Sequence, residues 1–138
     1  MTKATGTFEV TSGGEEPYEE LDSGIKLTHA SGTQMFSGDI AGDGAIHWLM
    51  LYRTDKTAQF VGLQRISGSV DGRRGTFVLA ADGEHDGTSS RVGWSVVPGT
   101  GSGDLAGIRG KGTLVAPGGR HGIYELEYDF ESQGGERI

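Results

Sequence analysis

The stretch Trp94-Ser-Val-Val-Pro-Gly-Thr-Gly-Ser-Gly-Asp-Leu-Ala-Gly-Ile-Arg-Gly-Lys-Gly-Thr-Leu-Val115 decides how the chain is read. Its glycines invite a phosphate-loop interpretation, and their spacing rejects it. A Walker loop needs a glycine where Leu105 stands, and a serine or threonine after Gly110-Lys111, where Gly112 stands. A dinucleotide fingerprint needs a helix after its glycines, whereas Gly110–Val115 reads as β. The stretch is therefore expected to be a strand, a tight connection and a second strand. Gly103, Gly107, Gly110 and Gly112 would relieve crowding where backbones pass closely at a barrel wall.

The rest of the chain repeats this pattern of short strands. Candidates are Ala4–Ser12, Gly24–Ser31, Thr33–Ile40, Ala45–Thr54, Thr57–Gly68, Gly75–Ala81, Ser89–Val97, Gly107–Val115 and Ile123–Glu131. Their spacing is that of sandwiches and barrels. Residues Gly13–Ser23 read as an acidic connection around Pro17, with at most a short helical turn near Glu15–Leu21. There is no asparagine, so hairpins must rely on glycine and on the pairs Asp43-Gly44, Asp71-Gly72, Asp82-Gly83 and Asp86-Gly87. Asp-Gly suits type I′ turns, which need positive φ at both central residues. In the last candidate, Tyr124, Leu126, Tyr128 and Phe130 share one face, and Glu125, Glu127 and Asp129 the other. That period of two is a half-buried strand. Ala45–Thr54 reads as apolar on both faces: Ile46, Trp48, Met50 and Tyr52 against His47, Leu49, Leu51 and Arg53. Such a strand is central or lies under a subunit contact; an exposed apolar face of this kind would favour a homo-oligomer.

The chain has 138 residues, enough for one domain spanning 1–138 with a sizeable core. Its 26 glycines punctuate alternating segments and form no low-complexity run. A net charge of −7 argues against nucleic acid and anionic membranes as partners. Cysteine is absent, which excludes disulfides, thiolate catalysis and thiolate metal sites and is compatible with a reducing cytoplasm, the expected location. The N-terminal residues Met1–Phe8 contain no apolar stretch of signal-peptide length, and Ile46–Tyr52 is too short to span a bilayer.

His29, His47, His85 and His121 lack metal-ligand spacing, and no serine sits in a nucleophile elbow. Neither a metal nor another cofactor is expected. Alternation places Trp48, Tyr52, Phe60, Phe77, Trp94, Tyr124, Tyr128 and Phe130 on inward faces. Phe60, Phe77 and Phe130 read as plain core. The tyrosines and tryptophans carry polar tips that need partners when buried, and apolar walls with a few polar groups are also what a small-molecule pocket uses. Gln64 is polar on an otherwise apolar face, so its amide must find protein, water or ligand.

Taken in order, Ala4–Ser12, Glu15-Glu16-Pro17-Tyr18, Phe36–Ile40, Leu49–Tyr52, Phe60–Leu63 and Trp94–Gly107 resemble a family of small bacterial proteins, common in actinomycetes, known as a domain of unknown function. The resemblance covers nearly the whole chain. That family is similar in fold to allene oxide cyclases and plant dirigent proteins, whose late Gly-Thr-Gly element is matched in looser form by Gly101–Gly110. Two positions depart from the expected pattern: Gly13 in place of a tryptophan and Gln64 in place of an acidic residue. The resemblance implies a single eight-stranded antiparallel β-barrel, lipocalin-like in general shape, with a ligand-sized interior and a dimeric or trimeric assembly. The expected function is a cofactor-independent cyclase or isomerase acting on an apolar specialised metabolite. Tyr52, Gln64 and Tyr124 would be its hydrogen-bonding catalytic groups, and Trp48, Trp94 and Tyr128 its ligand-binding wall. A non-catalytic carrier or sensor, and a structural oligomer with a filled interior, are the alternatives.

Overall fold

The computed structural model describes residues 1–118 and 120–131. Eight antiparallel strands form a closed barrel: β1 (Thr2–Glu20), β2 (Lys26–Gly38), β3 (Ile40–Tyr52), β4 (Ala58–Val70), β5 (Arg73–His85), β6 (Ser90–Val96), β7 (Ile108–Ala116) and β8 (His121–Phe130). Each strand pairs with the next in sequence, and β8 returns to pair with β1. Alternation chooses the faces as expected: in β8, Tyr124, Leu126 and Tyr128 are buried while Glu125 and Glu127 are exposed. Among the described residues, no helix is long and apolar enough to cross a membrane.

The long first strand does two jobs. Its first half pairs on both sides, with β8 from Thr2↔Tyr128 to Glu9↔His121 and with β2 from Gly6↔Gly38 onward. A β-bulge between Val10 and Ser12 then shifts its register. Beyond the bulge β1 continues beside β2 alone, as far as Glu20↔Lys26. Bulges bend and re-aim a strand, and here β1 leaves the barrel seam where the bulge sits.

The two ends of the barrel differ in consequence. One end is sealed by Ile40, Val70, Phe77, Ile108 and Leu126, all buried, and by Leu105 from a 3-10 turn at Gly103–Leu105. Tyr124 ties this end together. Its hydroxyl accepts from Ile40 N at 2.8 Å, and the carbonyls of Ser37 at 2.8 Å and Ile40 at 2.9 Å lie within reach of its proton. The last strand is thereby pinned to the corner between β2 and β3.

Four expectations are corrected. The candidates Gly24–Ser31 and Thr33–Ile40 are one strand, because Gly32 stays extended and pairs with both Gly13 and Ile46. The acidic connection and its helical turn are instead strand as far as Glu20. Pro17 falls where β1 is an edge strand paired with β2 alone, the place in a sheet where proline is tolerated. Asp43-Gly44 and Asp82-Gly83 lie inside strands, whereas Asp71-Gly72 makes the expected hairpin, with φ of 49° and 86° between the paired Val70 and Arg73. Between β6 and β7 the chain does not turn tightly. It runs from Val97 through the 3-10 turn to Gly107 and packs Leu105 into the sealed end. Gly110 and Gly112 do stand where backbones crowd, since a Cβ on either would collide with the carbonyl of Glu127 or Glu125 on β8.

Replacing Tyr124 by phenylalanine leaves the buried Ile40 N–H without its acceptor, which is expected to cost about 1–3 kcal/mol. The midpoint of urea unfolding, read at unchanged m-value, measures it. An unshifted midpoint would show that the hydroxyl does not hold this corner.

Candidate ligand cavity

At the other end the strands finish in small side chains. Ala30, Gly32, Ala58, Ser90 and Ala116 face inward around the mouth, with Gly13 and Gly14 on the departing arm of β1. The space they leave is a cavity of about 570 Å³. Its deeper wall is apolar, built from Phe8, Val10, Ile46, Trp48, Phe60 and Leu114. Trp48 meets Phe60 edge to face, with ring centroids 4.7 Å apart and planes at 75°.

Polar groups sit at three levels. At the rim are Lys56 and Arg120, and His85, whose Nδ1 lies 2.9 Å from Ser90 Oγ. On the upper wall, Glu15 Oε2 accepts from the Tyr52 hydroxyl at 2.5 Å and from the buried Thr28 hydroxyl at 2.5 Å. Burial first, then the bond to Glu15 and its charge, push the Tyr52 hydroxyl above the ordinary tyrosine value. Tyr52 is thus a neutral phenol at physiological pH, with its proton directed at the carboxylate. At the floor lies Gln34, whose Oε1 accepts from Gln64 Nε2; Gln64 Oε1 in turn accepts from Trp94 Nε1 at 3.0 Å.

Below that floor the interior is filled. Phe36 packs against Phe8 at 6.0 Å, Trp94 at 6.0 Å and Tyr124 at 5.6 Å between ring centroids. Tyr128, further down, donates its hydroxyl to Asp71 on the β4–β5 hairpin and stands edge-on to Phe130. Among the described residues, no three histidine, aspartate or glutamate side chains converge as metal ligands.

The six residues singled out in the sequence therefore separate. Trp48 and Tyr52 line the cavity. Gln64 lies one residue beneath it and reaches it through Gln34. Trp94 is the anchor of that amide pair, while Tyr124 and Tyr128 serve the sealed end, and none of these three lines the cavity. The sequence pattern alone does not mark Glu15, Thr28 or Gln34. Glu15 falls in the run read as a connection. Thr28 and Gln34 share the inward parity of Ala30, Gly32 and Phe36, a pattern visible only when β2 is read as one strand.

The Tyr128 hydroxyl is pushed up to about 12, by burial and then by Asp71. Unfolded tyrosine titrates near 10. The folded value is the higher one, so this group's contribution to stability is complete below about pH 10 and is lost as pH rises through the folded value. Thermal unfolding of Tyr128→Phe should accordingly decline less steeply than wild type across that alkaline window. Parallel curves would remove Tyr128 from the alkaline transition.

A family model described as a protein of unknown function (DUF3224) matches residues 4–128. Among solved structures, the crystal structure of a DUF3224-family protein of unknown function from Shewanella oneidensis MR-1 is similar, with a TM-score of 0.76 and 28% sequence identity. The match covers 96% of this chain and 99% of the other. Comparison with curated proteins gives no match.

Proposed function

The chain belongs to the DUF3224 family, whose function is unknown, and we propose that it is a small-molecule-binding barrel that takes an apolar ligand through the open end. One observation carries this reading: a cavity of about 570 Å³ with an apolar wall and a few convergent polar groups, in the size range of small-molecule sites. Filling that space with larger side chains would bury more apolar surface, and the chain has alanine, glycine and serine there instead.

The finer form of the reading is a cofactor-independent cyclase or isomerase, an expectation that rests on the sequence resemblance alone. The arrangement in its favour is Glu15, a carboxylate held by Tyr52 and Thr28 at the edge of an apolar chamber. Confinement supplies the entropic part of such a reaction by restricting a flexible substrate to reactive conformers. Glu15 supplies a fixed negative charge, able to face a developing positive charge or take a proton. Tyr52 orients it. Gln64 contributes through Gln34, and Tyr124 belongs to the fold. In the carrier or sensor alternative the same wall binds without conversion. A product of unchanged mass, formed faster than background and lost in Glu15→Gln, separates the two.

Nile red serves as a neutral apolar probe. One molecule per chain is expected to bind with blue-shifted emission, and Ala30→Trp, which places an indole in the mouth, to abolish the saturable signal while far-ultraviolet circular dichroism is retained. Absence of saturable binding by wild type, or undiminished binding by Ala30→Trp, would refute the cavity reading.

A second copy of the chain is the proposed partner, docking on the outer face of β3 and β4. Leu49 and Val61 sit directly opposite each other, as do His47 and Leu63. Leu49 is 52% exposed, Val61 50% and Leu63 57%, a contiguous apolar patch of the kind that marks interfaces. His47 stacks there on His29, with ring centroids 5.4 Å apart. Sedimentation should give a dimer or trimer for wild type and a monomer for Leu63→Lys; a monomeric wild type would dismiss the interface.

A further inference from the structure

The cavity floor is one end of a directional relay. Trp94 Nε1 carries a proton and has no lone pair to offer. It therefore fixes the amide of Gln64 with its oxygen toward the indole, at 3.0 Å. The nitrogen of Gln64 then faces Gln34, which can answer only with its oxygen. A three-step consequence follows: the atom left over at the top of the relay is Gln34 Nε2, a donor. Gln64 is 1% exposed and Gln34 7% exposed, so the relay is buried throughout, and its upper member lines the cavity. Among the described residues, Gln34 Nε2 has no hydrogen-bond partner, whereas the oxygen of the same amide and both ends of Gln64 are paired. Glycine at position 44 makes the posture possible, since a Cβ there would lie 2.7 Å from the Phe36 ring and 3.1 Å from Gln34 Oε1.

We infer that the ligand of this cavity is an apolar molecule bearing a neutral hydrogen-bond acceptor, a carbonyl oxygen above all, which it presents to Gln34 Nε2 at the floor. This rests on the cavity being a ligand site, as proposed above. The acceptor must be neutral because the deeper wall of the cavity is apolar, with Phe8, Ile46, Phe60 and Leu114 among its lining, and a carboxylate buried there would lose its hydration without a counter-charge. Lys56 and Arg120 belong to the rim. A ligand lacking the acceptor leaves buried N–H groups unsatisfied, so the floor discriminates between carbonyl compounds and hydrocarbons of equal shape.

The test compares acetylnaphthalene with isopropenylnaphthalene, which replaces C=O by C=CH2 and keeps the outline, each competing with Nile red. Wild type is expected to bind the ketone about threefold to tenfold more tightly. Gln34→Leu should bind both, with that ratio reduced to about one, since it removes only one donor contact. A second measurement needs no variant: the carbonyl stretching band of bound acetylnaphthalene should shift to the lower frequency of a hydrogen-bonded ketone. Equal affinities in wild type, or a bound carbonyl band at its position in alkane solvent, would overturn the inference and leave the binding cavity standing. Failure of both naphthalenes and of Nile red to bind would overturn the cavity reading and this inference with it.

Discussion

Everything distinctive about this barrel follows from one strand changing its partners partway along. From Gly6 to Glu9, β1 is paired on both sides and closes the cylinder; past the bulge at Thr11 it keeps β2 and abandons β8. An eight-stranded barrel held shut from end to end has an interior that side chains just fill. Here the sealed half conforms to that rule, with Phe77, Leu79, Leu105 and Leu126 essentially without solvent exposure. The other half departs from it because β1 swings away and its neighbours end in alanine, serine and glycine. The exposed edge of the departing arm carries Glu15, Glu16, Glu19 and Glu20. Charge on an unpaired edge discourages pairing with another chain, so the acid run protects the opening that the bulge creates.

The polar groups of the interior divide at the same level. Below it, hydroxyls are consumed by the fold: Tyr124 by the backbone of Ile40 and Ser37, Tyr128 by Asp71. Above it, Tyr52 and Glu15 line the cavity, and Glu15 is the shared acceptor of Tyr52 and the buried Thr28. A tyrosine's position along the barrel axis thus decides whether its hydroxyl is structural or available to chemistry. The alternating pattern of the sequence contains no record of that axial position.

That is why the sequence reveals the container better than the site. The inward faces of β6 and β8 follow from period-two alternation alone, and Trp94, Tyr124, Leu126 and Tyr128 are all buried as the pattern requires. Membership of the cavity needs the register between strands as well. Trp48 and Tyr52 lie toward the open end of β3, whereas Tyr124 sits opposite Gly6 on the closed seam. Glycine is the other source of error. At Asp71-Gly72 it makes a turn, and at Gly32 it is an extended residue in mid-strand. Thr28 and Gln34 share a parity that runs through Gly32 in a single β2, and Glu15 belongs to β1 beyond its bulge, neither of which alternation reveals.

The amide pair at the floor extends this logic from position to polarity. A glutamine side chain has nearly the same shape with its oxygen and nitrogen exchanged, so packing alone does not orient it. The indole beneath does, because it can only donate. The orientation passes from Trp94 through Gln64 to Gln34, and the chemical character of the cavity floor is set by a residue that never touches the cavity. Trp94 stands at the head of the glycine-rich stretch that first suggested a phosphate site. Its contribution is the donor that fixes which end of the Gln34 amide is left unpaired.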